Sequence, residues 1–133
     1  MIAREQLKSL VRSFENDAKL LFTRSHFHGA HYLSGYAVEI ALKYRICHTL
    51  NWDGYPESSR EFKGLQSFKT HNLNMLLRLS GYDDSVRQKR QNEWSIVIKW
   101  NTEARCRIQG VSESDVKDTL RAVTSIVALL VKS

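Results

Sequence analysis

Proline and cysteine are scarce in this chain of 133 residues, which has one of the first and two of the second. Proline interrupts helices, so a chain with a single proline and 42% hydrophobic residues is predicted to be ordered and helical. Cys47 and Cys106 form no CxxC pair, and two cysteines make no disulfide framework. We therefore predict reduced thiols in a cytoplasmic protein.

Long hydrophobic runs are also missing. The longest uninterrupted apolar run, 126–131, is far shorter than the ~20 residues that a helix needs to cross a bilayer. The first residues lack the apolar core of a signal peptide. We expect no membrane association.

Positively charged residues are in excess. The chain has 20 Lys and Arg against 14 Asp and Glu, which gives a formal net charge of +6. A positive chain favours acidic partners such as RNA, nucleotides or an acidic protein surface. Net charge alone selects none of these classes.

Small apolar residues follow a helical period in the second quarter of the chain. The positions three and four apart are Ala30, Leu33, Ala37, Ile40, Ala41, Tyr44 and Cys47. Alanines on such a stripe let neighbouring helices approach closely. The pattern predicts a central helix from about Gly29 to Leu50, ended by the turn-rich segment 51–59.

Four further helices are predicted from apolar periodicity and capping residues. Ser112 followed by Asp115 indicates the start of the last helix, and the polar segment 101–111 before it is predicted to be irregular. We expect one all-α domain over residues 1–133, an antiparallel bundle of about five helices. The other four helices are placed at 4–24, 71–79, 86–99 and 116–131.

Three segments together resemble the HEPN superfamily of small helical domains. They are Gly29-Ala30-x-x-Leu33-x-x-Tyr36-Ala37-Val38-Glu39-Ile40-Ala41-Leu42-Lys43, Thr70-His71-Asn72-Leu73-x-x-Leu76-Leu77 and Trp100-Asn101-Thr102-Glu103-Ala104-Arg105. The resemblance implies an antiparallel helical bundle and frequent dimers. It also implies RNA cleavage, RNA or nucleotide binding, or partnership with a minimal nucleotidyltransferase in toxin–antitoxin and defence systems.

The nuclease motif of the family is absent from its usual late position. Catalytic members resemble one another in an Arg followed, after four to six residues, by a His. The last histidine here is His71, so neither Arg105 nor Arg107 has a His after it. Arg24 and His31 match the spacing at the joint before the central helix, which we interpret as coincidence. We assign no catalytic residue and no cofactor.

A cluster of cations and tryptophans in the second half of the chain is the candidate surface for RNA or nucleotide. Phosphate contacts and base stacking use these residue types. The alternative is that the tryptophans are core residues and the cations are solvated. The candidate binding residues are Arg87, Lys89, Arg90, Trp94, Trp100, Arg105 and Arg107, with Lys99 between them.

Glu39 and Lys43 are four residues apart, as in an exposed helical ion pair. A second interpretation is that Glu39 anchors Arg105 from the late segment. We interpret His71 as a helix-start residue whose ring bonds nearby backbone, with the role of catalytic base as the alternative.

Three histidines, His26, His28 and His31, lie close together, and the last two would share a helix face, as metal ligands can. No paired carboxylate in the segment completes a site. We predict no metal site there.

The end of the last helix, 125–131, is apolar on nearly every side. This pattern predicts that a second chain or a partner protein covers it, and we expect a homodimer. Burial inside one bundle is the alternative.

The leading hypothesis is a non-catalytic binding subunit for RNA or nucleotide, or for a nucleotidyltransferase, in a toxin–antitoxin or defence system. The first alternative is a ribonuclease with an unorthodox site such as Arg105 with His71. The second is a purely structural interaction bundle.

Overall fold

The computed structural model describes residues 1–100 and 112–132 of the chain. Its regular elements in chain order are β1 (Ile2–Ala3), α1 (Arg4–Thr23), α2 (Phe27–Leu50), β2 (Gly54–Tyr55), α3 (Leu73–Ser80), α4 (Asp83–Lys89), α5 (Gln91–Val97) and α6 (Glu113–Leu130). A 3-10 turn, Gln66–Phe68, precedes α3. The prediction of an all-α bundle is confirmed, with a two-stranded antiparallel ladder of β1 and β2 added to it.

The central helix is α2, which packs against α1, α3 and α6. Ala30, Ala37 and Ala41 are fully buried, as the small-residue stripe predicted. Packing is closest at Gly35, where an added Cβ would lie 2.0 Å from the ring of Trp100. The absence of a side chain at Gly35 therefore makes room for the tryptophan.

Two helix ends follow the predicted signals. Ser112 is the N-cap of α6 and its Oγ accepts the backbone N–H of Asp115 at 3.1 Å, so the predicted cap is confirmed. The central helix ends at Leu50, and its C-cap residue, Asn51, adopts the left-handed conformation with φ 56°. Asparagine tolerates this conformation better than most residues, and the chain turns there towards β2.

The prediction of one helix over 86–99 is wrong, because the structure has α4 and α5 with a break at Arg90 (φ −139°, ψ 34°). One continuous helix would place Arg90 on the same face as Val86 and Trp94, which are both buried. Burying the whole guanidinium between them would be costly; at the break Arg90 is half-buried, and its Nε is buried without a hydrogen-bond partner among the described residues. The predicted irregular segment 101–111 lies outside the described residues.

A buried cation that the sequence analysis did not single out holds the C-terminal end of α6. Arg45 in α2 is 3% exposed, and its Nε donates to the carbonyl of Leu130 at 2.7 Å. Its Nη2 donates to the carbonyl of Lys132, and the guanidinium lies 4.7 Å from the ring centroid of Tyr82. A positive charge at a helix C-terminus is favourable for the helix dipole. Arg45 thus ties α6 and the start of α4 to the central helix.

The apolar end of α6 is largely covered by the chain itself. Ile126 and Leu130 are fully buried and Val127 is 6% exposed, whereas Ala128 on the other side of the helix is exposed. Burial within the bundle therefore accounts for most of the apolar surface that suggested a second chain. The homodimer stays a prediction.

None of the helices in the described ranges is both long and apolar enough to cross a membrane.

Candidate functional site

A carboxylate lies in the interior of the bundle. Glu39 belongs to the middle of α2, and its side chain is 2% exposed. The helix is covered on several sides, so a charged residue at this position has little access to water. An isolated buried carboxylate would cost several kcal/mol, so its partners decide what it does.

The first partner is Lys43, one helical turn later. Its Nζ donates to Oε2 of Glu39 at 3.2 Å, and the lysine side chain is 16% exposed. The same ammonium lies 5.3 Å from the ring centroid of Tyr55. The pair therefore forms as the spacing predicted, but it is not the exposed pair of the first interpretation.

The second partner is His71, which stands just before Asn72, the N-cap of α3. The Nδ1 atom of His71 lies 3.1 Å and 3.2 Å from the two carboxylate oxygens of Glu39, while its side chain is 57% exposed. Lys43 donates to the carboxylate, which marks Glu39 as an acceptor, so the geometry assigns the proton of the shared bond to His71 Nδ1. The sequence predicts a backbone partner for the ring of His71, and the structure shows the Glu39 side chain instead.

We call these three residues, Glu39, Lys43 and His71, the Glu39 cluster. Tyr55 closes it on one side. The hydroxyl of Tyr55 donates to the carbonyl of Phe68 at 2.6 Å. Burial raises the pKa of Tyr55, and Cys47 and Glu39 raise it further, so the phenol stays protonated. Its hydrogen bond to Phe68 holds the ring in place beside the cluster.

The predicted contact between Glu39 and Arg105 falls outside the described residues. In the described part of the chain both carboxylate oxygens of Glu39 already have partners.

The predicted binding residues differ in how free their charges are. Nε of Arg87 donates to Asp83 at 2.7 Å, one helical turn earlier, which offsets its charge. Lys89 is exposed. Arg90 is half-buried, and its Nη1 donates to the carbonyl of Lys89. Within this group Lys89 is the cation that most clearly faces solvent.

The two predicted stacking tryptophans are core residues. Trp94 is 1% exposed, and its Nε1 donates to Oδ1 of Asn74 at 3.0 Å. Trp100 is 2% exposed and lies against Gly35, with its ring centroid 5.4 Å from that of Tyr36. Neither ring face is open to a base in this structure. Arg105 and Arg107 lie outside the described residues.

A different stretch of the chain carries cations without opposing carboxylates. Residues 62–82 contain no Asp or Glu, and Lys63, Lys69 and Arg78 within them are exposed. We call this stretch the cationic segment; it includes His71. The clustering of cations in the sequence does not point to this stretch, whereas its lack of acidic residues is a sequence signal that identifies it.

His26, His28 and His31, at the start of α2, belong to no metal-binding group of described residues. Burial lowers the pKa of His31, the neighbouring His28 lowers it further, and Asp115 at the start of α6 opposes the shift. The described residues contain no group of three His, Cys, Asp or Glu side chains that could hold a metal ion.

Comparisons of the chain with protein-family models, curated proteins and solved structures gave no match. The resemblance to the HEPN superfamily therefore stays a prediction from the three sequence segments.

Proposed function

We propose that this chain is an HEPN-like, non-catalytic module that binds a phosphate-bearing ligand, either RNA or a nucleotide, through the cationic segment. The observation that carries the proposal is the exposure of Lys63, Lys69 and Arg78 within a stretch that has no acidic residue. Local excess of positive charge concentrates phosphate more than total charge does.

Other basic parts of the chain are neutralised to a greater degree. Along α1, four cations alternate with Glu5, Glu15 and Asp17. Between residues 83 and 100, four cations face Asp83, Asp84 and Glu93, and Asp83 is already paired with Arg87. Of these three stretches, the cationic segment therefore has the largest local excess of positive charge.

The Glu39 cluster adds an oriented imidazole to this segment. Glu39 fixes the ring of His71 through Nδ1, so the exposed part of the ring faces solvent in a defined direction. Side chains that a neighbouring residue holds in place bind a ligand at a smaller entropic cost than freely rotating ones.

Fluorescence anisotropy with a labelled single-stranded RNA and with a labelled nucleotide tests the proposal. Replacing Lys63, Lys69 and Arg78 by Gln should weaken binding of the ligand that the protein takes. The matched control replaces Arg12, Lys19 and Lys117, exposed cations of α1 and α6, and should bind nearly as the unmodified protein does. Equal losses in the two triple variants, or no binding of either ligand, would contradict the proposal.

Ribonuclease activity is the second candidate, and one observation favours it. An imidazole oriented by a buried carboxylate is an arrangement that general acid–base catalysts use. Incubation of the purified protein with RNA tests it. Cleavage that is lost in His71→Ala would establish an enzyme and overturn the non-catalytic assignment.

The HEPN resemblance also supports two proposals about partners. A homodimer and a complex with a nucleotidyltransferase, as in toxin–antitoxin or defence systems, are roles that the family implies. Light scattering on the purified chain tests the first. Co-purification with a candidate nucleotidyltransferase tests the second, and failure of both would favour the purely structural bundle.

A further inference from the structure

His71 differs from the other histidines in what its Nδ1 atom contacts. Among the described residues, His71 is the histidine whose ring contacts a carboxylate, that of Glu39, at 3.1 Å. His48 Nδ1 lies 3.1 Å from Nη1 of Arg45, a cation, and His28 has its Nε2 buried without a partner. His31 is half-buried and His26 is exposed.

The contact with Glu39 fixes the tautomer of His71. The Nδ1 proton is donated to the carboxylate, so in the neutral ring the lone pair resides on Nε2. Because Nδ1 faces the buried Glu39 while 57% of the side chain is exposed, the opposite edge of the ring, with Nε2, faces solvent. The site thus holds a nucleophilic nitrogen outward and a negative charge behind it.

The buried carboxylate of Glu39 also stabilises the cationic ring that forms when Nε2 bonds an electrophile. An imidazole that bonds an electrophile through Nε2 becomes cationic, and Glu39 lies against the nitrogen where that charge is shared. Lys43 keeps the carboxylate in place on the far side. Nucleophile, orienting carboxylate and supporting cation are the parts of a covalent acceptor site.

We propose that His71 is a phosphoacceptor, which takes a phosphoryl group on Nε2 from a donor of the phosphoramidate or acyl phosphate class. The lone pair of Nε2 attacks phosphorus, the Nε2–P bond forms, and the bond from phosphorus to the leaving nitrogen or oxygen breaks. With phosphoramidate the leaving group departs as ammonia, its proton coming from solvent. No redox change occurs.

The charges around His71 are compatible with a phosphorylated ring. Phosphorylation adds close to two negative charges. Residues 62–82 around His71 contain no Asp or Glu, and the carboxylate of Glu39 contacts the ring at Nδ1 rather than at Nε2, where the phosphoryl group would be attached. Exposure favours an acceptor over a general base, because a base acts best in an enclosed site from which water is excluded, whereas an acceptor must reach into the donor's own site. This inference does not depend on RNA or nucleotide binding.

The test treats the full chain with potassium phosphoramidate and follows phosphohistidine by ³¹P NMR and by peptide mass mapping under alkaline conditions. The label should appear first on His71 and be absent from His71→Gln, while His26→Gln, an exposed control, keeps the label. Glu39→Gln should slow the labelling by about tenfold. Equal labelling of His26, His48 and His71, or an unchanged rate in Glu39→Gln, would overturn the proposal.

A second measurement needs no variant at Glu39. Long-range ¹H–¹⁵N NMR of the unmodified protein reports the tautomer of each neutral histidine. The Nδ1–H tautomer is expected for His71, and a predominant Nε2–H tautomer would overturn the proposal even if Glu39→Gln did not fold.

Discussion

The carboxylate of Glu39, buried in the central helix, lies 3.1 Å from Nδ1 of His71, a residue 32 positions later whose ring is largely exposed. This contact joins a buried position of α2 to the exposed residue just before the N-cap of α3. Lys43 completes the arrangement from within α2. A contact of this kind has consequences for stability as well as for the chemistry of His71.

Glu39→Ala should destabilise the fold. The substitution leaves the half-buried ammonium of Lys43 without its carboxylate partner and opens a cavity in α2. Loss of one member of a buried pair typically costs about 3 kcal/mol. Urea unfolding followed by circular dichroism measures the change, with Asp17→Ala, an exposed position of α1, as the control. A loss no larger than that of the control would contradict the role given to Glu39.

Gly35→Ala should also destabilise the protein, although alanine is the better helix former. The new Cβ would lie 2.0 Å from the ring of Trp100, so the buried indole must move, at a cost of about 1 to 3 kcal/mol. Gly29→Ala is the matched control, because its nearest atom, at 3.1 Å, is the end of the flexible Leu21 side chain. Thermal unfolding should show a lower Tm for the first variant and a nearly unchanged Tm for the second.

Arg45→Met should loosen the C-terminal end of α6. The variant keeps much of the side-chain volume but loses the hydrogen bonds to the carbonyls of Leu130 and Lys132, worth about 2 to 3 kcal/mol together. Hydrogen exchange should accelerate at the last turn of α6, whereas Arg12→Met in α1 leaves it unchanged. Arg45→Lys should rescue only part of the loss, because an ammonium lacks the planar fork of a guanidinium.

Stability should fall as the solution becomes acidic, in part through His31. Burial lowers the pKa of His31 in the folded chain, so the unfolded chain binds the proton more readily. The contribution of neutral His31 is complete above the ordinary histidine pKa of about 6.5 and is lost as pH falls through the lower folded value. The neighbouring His28 lowers the pKa of His31 further, and Asp115 raises it.

Urea unfolding at about pH 7.5 and about pH 5.5 measures this dependence. His31→Gln should show a smaller drop in the free energy of unfolding than the unmodified protein, and His26→Gln, at an exposed position, the same drop. An identical drop in all three proteins would show that other groups carry the pH dependence.

The parts of the fold that could be predicted from sequence are those that local patterns determine. The alanine stripe of α2 and the Ser112 cap of α6 each depend on a few neighbouring residues. The break at Arg90 could not be predicted, since it depends on which residues the rest of the chain buries. Apolar periodicity over 86–99 does not reveal that a cation, Arg90, lies half-buried between Val86 and Trp94.

Only one contact of the candidate site, the pair of Glu39 and Lys43 within one helix, could be predicted from the sequence. The spacing of Glu39 and Lys43 indicates a contact within one helix, whereas the contact with His71 joins residues far apart in sequence and requires the packing of α3 on α2. For Trp94 and Trp100 the sequence suggested a role that the structure does not support. Their type suggested stacking on bases, but their burial depends on tertiary contacts that composition does not reveal.

The salt dependence of RNA binding shows whether the cationic segment contacts phosphates. For single-stranded RNA, each phosphate contact adds about 0.7 to the slope of log affinity against log salt concentration. Replacing Lys63, Lys69 and Arg78 by Gln should therefore flatten the slope by about 2, and replacing Arg87, Lys89 and Arg90 should flatten it less, because Arg87 is paired with Asp83. A slope that is unchanged by the first triple variant, or flattened more by the second, would contradict the cationic segment as the binding surface.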